Sequence, residues 1–316
     1  MNILVTGAAG FIGSHLCEKL VKDKKNKVIG VDTFIGPTPA PIKQQNLTNL
    51  QNHPQVQLIQ KDLLTSDLSE LLSGIDVIYH LAGMPGVRSS WGKDFDPYVT
   101  NNILLTQRLL EAAKEMPLKK FIYASTSSIY GEMNGKVSEN TLPVPLSPYG
   151  ITKLSGEHLC HVYQKSHQVP VVITRFFIVY GPRQRPDMAF HRFIKQILNE
   201  ETLTIFGDGT QSRDFTYISD CVDGITSILH HDQLIGTTLN IGGKERSSVN
   251  DIISLIEEIT GKTAKKQYFP KISGEPKHTW ADISVAKELL NYDPKVSLKE
   301  GLKYEIDYIR SLYQLP

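Results

Sequence analysis

Val5-Thr6-Gly7-Ala8-Ala9-Gly10-Phe11-Ile12-Gly13 is the stretch on which the reading of this chain turns. It follows a short β-branched run, Asn2–Thr6, and opens a segment of helical spacing, so its glycines stand at a strand-to-helix turn. Their order, G-x-x-G-x-x-G, is a variant of the dinucleotide fingerprint G-x-G-x-x-G. Gly7 and Gly10 let the backbone turn tightly and approach a pyrophosphate, whose charge meets the free N–H groups and the positive end of the helix. Gly13 lets that helix pack close on the sheet. A glycine-rich turn with no ligand is the plain alternative, and Asp32 argues against it. It closes a second strand-like run, Lys27–Asp32, about 20 residues beyond the glycines, where a carboxylate accepts the hydroxyls of an adenosine ribose. No Arg lies near it to receive a 2′-phosphate, so NAD is expected in preference to NADP. Asp62 follows the third run and has two readings, a contact with the adenine edge or a cap for the next helix.

Further strand candidates are Val56–Lys61, Asp76–His80, Lys120–Ala124 and Val171–Arg175, with amphipathic segments between them, clearest at Asn101–Glu115 and Tyr149–Lys165. Strand and helix alternating in this way predict right-handed βαβ crossovers and an α/β fold, a doubly wound parallel sheet of the Rossmann kind, over residues 1–175. The insertion Phe34–Leu50, with Pro37, Pro39 and Pro41, reads as a surface loop holding a short helix. From residue 176 the alternation fades at Pro182, Pro186, Gly207 and Gly209, and residues 176–316 are assigned to a smaller C-terminal α/β lobe that binds substrate. A strand at Thr238–Ile241 is placed to return to the first sheet. Ser297 and Glu300 predict a capping box for a last helix from Leu298 to about Leu312, and Asp282 or Ser284 is the expected N-cap of the helix before it, which Pro294 follows.

The chain has 316 residues, 40% hydrophobic and 21% charged, which is ordinary for a folded globular protein. Lys plus Arg number 34 against 33 Asp plus Glu, and a net charge of +1 offers no footprint for nucleic acid or an anionic membrane. No apolar run is long enough for a membrane span, and Met1-Asn2-Ile3 leads straight into a strand, so no signal peptide is expected. Cys17, Cys160 and Cys221 are odd in number and far apart, which predicts a reducing, cytoplasmic setting with neither a disulfide framework nor a zinc site. His158 and His161 on one helix and the His230-His231 pair lack a third ligand, so no metal is expected.

Tyr149-Gly150-Ile151-Thr152-Lys153 sets a phenol and an ammonium four apart on one helix face. With 13 Tyr in the chain, chance alone supplies about one Y-x-x-x-K, so the spacing carries little by itself. The context carries more. The pair opens a helix between the fifth and sixth strands, just after the hydroxyl-rich Ser125-Thr126-Ser127-Ser128, and ligands in open α/β sheets sit at the carboxyl ends of strands. A free Tyr, with a pKa near 10, is a poor base at neutral pH. A nearby Lys⁺ and a positively charged nicotinamide favour the phenolate. That phenolate can take an alcohol proton as hydride leaves, with the Thr126 hydroxyl holding the substrate oxygen.

Together the glycine motif, His80-Leu81-Ala82-Gly83, the S-T-S-S-I-Y-G stretch from Ser125, Ser147-Pro148-Tyr149-Gly150 with Lys153, Arg213-Asp214-Phe215 and Asn240-Ile241-Gly242 resemble the extended short-chain dehydrogenase/reductases that act on nucleotide sugars. The resemblance implies Tyr149 as base, Lys153 as its electrostatic partner and ribose anchor, and Thr126 as the proton-bridging hydroxyl. It implies Phe11, Ile12, Leu63, Leu81 and Ala82 as further NAD contacts, support of the site by Asn101 or Asn102, and a homodimer paired through the helices 101–115 and 149–165. Decarboxylases and dehydratases of this kind place an acid two residues after the catalytic hydroxyl. Here Ser128 stands in that place, which favours simple return of hydride, as in an epimerase.

Within the epimerases, Gly86-Val87-Arg88-Ser89-Ser90-Trp91-Gly92, the Thr126-Ser127-Ser128 triplet and the segment Gly181–Phe190 (GPRQRPDMAF) are most similar to bacterial UDP-glucuronate 4-epimerases. A uronate carboxylate wants charge-assisted donors, and Arg185 with Ser127 and Ser128 can supply them, although a loop arginine is also at home in solvent. The resemblance further implies Arg213 at the diphosphate, Arg88 beside it or at the uronate, Ala189, Phe190, Phe193 and Phe206 walling the base, and Glu275 at a ribose hydroxyl; each aromatic has an alternative place in the core. One departure stands out. The family usually carries Asn or Thr where this chain has Ile178, and an aliphatic side chain cannot donate to the sugar. UDP-glucose, UDP-galactose or N-acetylhexosamine epimerisation, then UDP-glucuronate decarboxylation, and last a non-catalytic NAD-binding protein, are the alternatives in order.

Overall fold

The structure, a computed structural model, describes residues 1–133 and 135–315. Its first half runs β1 (Asn2–Thr6), α1 (Phe11–Leu20), β2 (Lys27–Asp32), α2 (Ala40–Asn46), β3 (Val56–Gln60), α3 (Leu68–Leu72), β4 (Val77–His80), the one-turn α4 (Asp96–Tyr98), a π-helical segment Val99–Leu104, α5 (Leu105–Ala113), β5 (Lys120–Thr126), α6 (Pro148–His167) and β6 (Val171–Phe176). The second half runs β7 (Ile178–Tyr180), α7 (Ala189–Leu198), β8 (Thr202–Phe206), β9 (Ser212–Tyr217), α8 (Ile218–Ser227), β10 (Thr238–Ile241), β11 (Glu245–Ser248), α9 (Val249–Thr260), β12 (Lys265–Phe269), α10 (Ser284–Leu290) and α11 (Leu298–Tyr313).

Seven strands form one sheet in the order β10-β6-β5-β4-β1-β2-β3, and every neighbouring pair is parallel. Parallel strands covered on both faces read as near-continuous apolar runs, and Val77–His80 and Val171–Arg175 are buried throughout. Alternate residues of β1 serve opposite faces, as the pleat demands. Ile3 and Val5 pack with Leu16 of α1 and Ile225 of α8. Leu4 packs with Leu72 of α3, Leu109 of α5 and Tyr163 of α6. The chain builds outward from β1 to β2 and β3 on one side and from β4 to β5, β6 and β10 on the other, so the strand order reverses between β1 and β4. A crevice for ligands opens at such a reversal, at the carboxyl ends of the strands. The edge strand β10 comes from beyond residue 175 and lies parallel to β6 with Asn240 opposite Arg175. Three further strands, β11-β9-β7, and the pair β12-β8 carry the remaining sheet structure.

Three local expectations need correction. The helix expected over 101–115 begins earlier, with a π-helical turn at Val99–Leu104 before α5. Ser297 caps α11 by accepting from the Glu300 N–H at 3.3 Å, but the box is not reciprocal, because the Glu300 carboxylate turns to the Tyr304 hydroxyl at 3.4 Å. A two-way box forms at Ser248 and Asp251 of α9 instead. At α10 the N-cap position is Ile283, while Asp282 accepts from the Ser284 N–H at 3.0 Å.

Candidate active site

The turn after β1 makes a cradle that only glycine can line. Gly7 has φ +73°, and a Cβ there would stand 2.9 Å from the Ala82 nitrogen; a Cβ on Gly13 would stand 2.2 Å from the Gly7 oxygen. No side chain caps α1 at Gly10, so the first-turn N–H groups, including those of Phe11 and Ile12, face the crevice without a protein partner. Asp32 is buried at the end of β2 and accepts from Ala9 N at 3.1 Å, Phe34 N at 2.7 Å and Lys43 Nζ at 2.8 Å. Lys43, a cation that α2 brings back from along the chain, is thus a buried ion-pair partner of Asp32. Leu63 is buried, and Ala82, next to Leu81, donates its N–H to Thr6 Oγ1 at 3.0 Å. A dinucleotide fits this setting: glycine cradle for pyrophosphate, open helix end, carboxylate at the second strand. Asp62 departs from its helix-capping reading. It is exposed and holds its own turn by accepting from Leu64 N at 2.9 Å, while Asp67 caps α3.

Tyr149 stands in the first turn of α6, which Ser147 caps by accepting from Gly150 N at 3.1 Å. The following Gly150 comes so close to Ser128 that a Cβ there would stand 2.6 Å from its oxygen, which sets Tyr149 beside the Thr126–Ser128 stretch at the end of β5. Burial holds the phenol above its ordinary value, against the Thr126 hydroxyl and the positive charge of Arg185. No hydrogen bond joins the Lys153 ammonium to this phenol. The Lys153 Nζ lies one helical turn on, 4.2 Å from the Tyr123 ring centroid, and burial pulls it down to about 8, against the nearby Cys160 and Glu157. Ser128 is drawn back to Thr126, its N–H donating to Oγ1 at 3.2 Å, and Ser127 is buried beside it. Asn102, not Asn101, supports the site. Asn102 donates to Thr152 Oγ1 and to Met84 O, both at 3.0 Å, whereas Asn101 is spent on Pro97 O at 2.8 Å.

On the substrate side Arg88, Phe206, Arg213 and Glu275 come together. Arg88 lies 4.8 Å over the Phe206 ring and bonds Glu275 at 2.6 Å, and Arg213 meets the same carboxylate at 3.5 Å. Arg185 is paired with Asp187 through two bonds of 2.9 Å. Ala189 is exposed at the start of α7, but Phe190 and Phe193 do not wall a base. They sit with Ile194 and Ile197 on the inward face of α7, where Phe190 packs 4.6 Å from Phe215. Phe269 stands beside Phe206, with ring centroids 6.0 Å apart. Ile178 opens β7 opposite Phe215 and packs on the core.

Other residues of the site escaped the sequence reading. The Tyr98 hydroxyl donates to Pro85 O and Gly86 O at 3.0 Å, and its ring stands edge-on to Tyr149. Arg192 lies close enough to Arg88 for the two charges to oppose each other. Only Lys43 carried a usable signal, a lone cation in the short helix after the ribose carboxylate. Among the described residues no three His, Cys, Asp or Glu side chains cluster as metal ligands, and no helix is long and apolar enough to cross a membrane.

The resemblance read from scattered motifs extends along the whole chain. Residues 3–242 match the NAD dependent epimerase/dehydratase family. Bacillus subtilis YtcB, named an uncharacterized UDP-glucose epimerase, is 64% identical over 99% of both chains. A UDP-glucuronate 4-epimerase of Thermodesulfobacterium geofontis is 39% identical over 99% of this chain and 97% of its own. The crystal structure of UDP-glucuronic acid 4-epimerase from Bacillus cereus, in complex with UDP-glucuronic acid and NAD, superposes with a TM-score of 0.98 at 62% identity, covering 99% of this chain and all of that one. Glycine cradle, strand-end carboxylate, tyrosine helix and these likenesses agree, and the chain belongs to the NAD dependent epimerase/dehydratase family.

Proposed function

We propose that this protein is an isomerase that inverts carbon 4 of UDP-glucuronate to give UDP-galacturonate through a transient 4-ketone. The observation that carries the reading is Tyr149 in the first turn of α6, set beside the Thr126–Ser128 stretch, with Ser128 where a decarboxylase would hold an acid and the charge of Arg185 favouring the phenolate. Relatives that bind UDP-glucuronic acid support the choice of sugar.

Bound NAD supplies a nicotinamide that takes hydride from carbon 4 and returns it to the opposite face. Gly7, Gly10 and the first turn of α1 hold its pyrophosphate, Asp32 its adenosine ribose, and Lys153 its second ribose. Tyr149 takes the hydroxyl proton at carbon 4 and gives it back, with Thr126 bridging. Arg185, Ser127 and Ser128 hold the uronate carboxylate, which suppresses loss of carbon dioxide from the β-keto acid. Arg88, Arg192 and Arg213 face the diphosphate, Phe206 with Phe269 the base, and Glu275 a ribose hydroxyl.

Residues 1–175 with β10 act as the cofactor lobe and the rest of 176–316 as the substrate lobe. Exposed Leu104, Ile151 and Val162 on the packed helices 99–113 and α6 support a homodimer paired through this face. Three free, buried cysteines agree with a cytoplasmic setting.

Ile178 favours a second reading, a neutral sugar such as UDP-glucose, because its aliphatic chain offers nothing to a carboxylate. Incubation with UDP-glucuronate, UDP-glucose and UDP-N-acetylglucosamine without added reductant decides between them. UDP-galacturonate is the expected product; turnover of UDP-glucose alone would establish the second reading, and carbon dioxide with a UDP-pentose would establish a decarboxylase.

A further inference from the structure

Glu157 lies on α6 one turn beyond Lys153 and two beyond Tyr149, and its carboxylate is buried. It is clamped from two strands. Arg175 of β6 donates Nε to Oε1 at 3.0 Å and Nη2 to Oε2 at 2.8 Å, while Ser125 of β5 donates its hydroxyl to Oε1. Ser125 and Arg175 are register partners, and Ser125 immediately precedes Thr126. Arg175 is fixed in turn: Nη1 donates to the Tyr130 hydroxyl at 2.8 Å and to Glu139 O at 2.9 Å, and Tyr130 donates to Asn240 of β10 at 2.7 Å. One carboxylate therefore ties the helix of Tyr149 and Lys153 to the strand end of Thr126 and, through Arg175, to the edge of the sheet. Such a pair is a weak source of stability for its desolvation cost, so its geometric consequence is the informative part.

The same carboxylate stands one turn from Lys153 on α6 and holds its ammonium up against burial without forming an ion pair with it. Around that ammonium stand the Tyr123 ring of β5, His80 of β4, and Cys160 and Glu157 of α6, with Arg175 of β6 behind Glu157 and Tyr149 one turn back. His80 is held neutral, pulled down to about 3 by burial and then by Lys153. Burial pushes the Cys160 thiol well above its ordinary range, so it too is uncharged at neutral pH. Glu157 is thus the anion at hand for Lys153.

We infer that Glu157 is a positioning residue of the reaction, which sets Lys153 and Tyr149 in register with Thr126 and supplies a negative charge one turn from Lys153. The inference rests on the epimerase reading for its kinetic part only. In Glu157→Gln, kcat for UDP-glucuronate should fall tenfold or more at pH 8 with KM within threefold, and the alkaline limb of kcat should move to lower pH. Glu157→Asp, which keeps the charge, should restore the limb in part. Independently of turnover, the Nζ resonance of Lys153 in protein labelled with [15N]lysine, assigned by its loss in Lys153→Arg, should titrate at lower pH in Glu157→Gln. An unchanged titration in folded protein overturns the inference. Should Glu157→Gln not fold, the charge-neutral pair Glu157→Gln with Arg175→Gln takes the same titration, and again no shift overturns it. The described shift in Glu157→Gln, beside a wild type that turns over no UDP-sugar, defeats the epimerase reading and leaves the electrostatic role of Glu157 standing.

Discussion

Tyr149 is placed to work as a base only through its surroundings, since burial alone raises the phenol and Thr126 with Arg185 opposes that rise. Tyr149→Phe should lower kcat by about 10²–10⁴, the usual share of a general base. NAD affinity should stay within twofold by calorimetry, and full retained activity would remove Tyr149 from this role. Ile178→Thr puts a donor at the start of β7. Turnover of UDP-glucuronate should rise and the UDP-pentose by-product should fall, read as product ratios by chromatography; if neither moves, Ile178 has no part in holding the uronate. Residues in short contiguous motifs, such as Tyr149, Lys153, Thr126 and Asp32, were legible because their neighbours along the chain are also their neighbours in space. Phe190 and Phe193 were not, because a helix shows the same apolar stripe to a core as to a ligand. Tyr98 and Arg192 reach the site by tertiary folding alone, with no local pattern to announce them.

At the scale of elements, neither Gly7 nor Gly13, where β1 passes into α1, has room for a methyl group. Gly13→Ala should push Gly7 out of place and weaken NAD binding at least tenfold by fluorescence titration, with the rest of the fold retained by circular dichroism; unchanged affinity would show that the turn gives way. The join between α7 and α11 is a histidine. His191 is buried between Gln184 O and the Tyr313 hydroxyl, both at 3.0 Å, and burial pulls it down to about 4. The unfolded chain therefore takes up this proton first as pH falls below 6.5, so the stability it lends is intact at neutral pH and drains away toward pH 4. Between pH 7 and pH 5 the loss is about 2 kcal/mol, and His191→Gln should remove that part of the decline in urea unfolding. A parallel decline in both proteins would assign acid sensitivity elsewhere. Strand positions were readable from β-branched runs bounded by turn residues, whereas the π-helical turn at Val99–Leu104 was not, since its sequence differs little from that of an ordinary helix.

For the whole molecule, the pair of helices 99–113 and α6 leaves apolar side chains uncovered. The double variant Ile151→Glu with Val162→Glu should halve the mass measured by light scattering at micromolar concentration, and an unchanged mass would place any dimer contact on another face. The parallel architecture was legible from the alternation of strand and helix, because each crossover must span the sheet and so spaces the strands evenly. The division of the second half was less so: its strands are short, and β7, β9 and β11 mix parallel with antiparallel pairing. One arrangement also bears on how the molecule comes into being. About 60 residues separate the end of β6 from the start of β10, its partner at the sheet's edge, and a ribosome adding ~5–20 residues per second needs roughly 3–12 s to make them. Through that interval the nascent chain carries an open β6 flank with unpaired backbone groups, the kind of surface on which other chains template. Synthesis of this protein thus includes a window of several seconds in which a chaperone on the emerging polypeptide has most to protect.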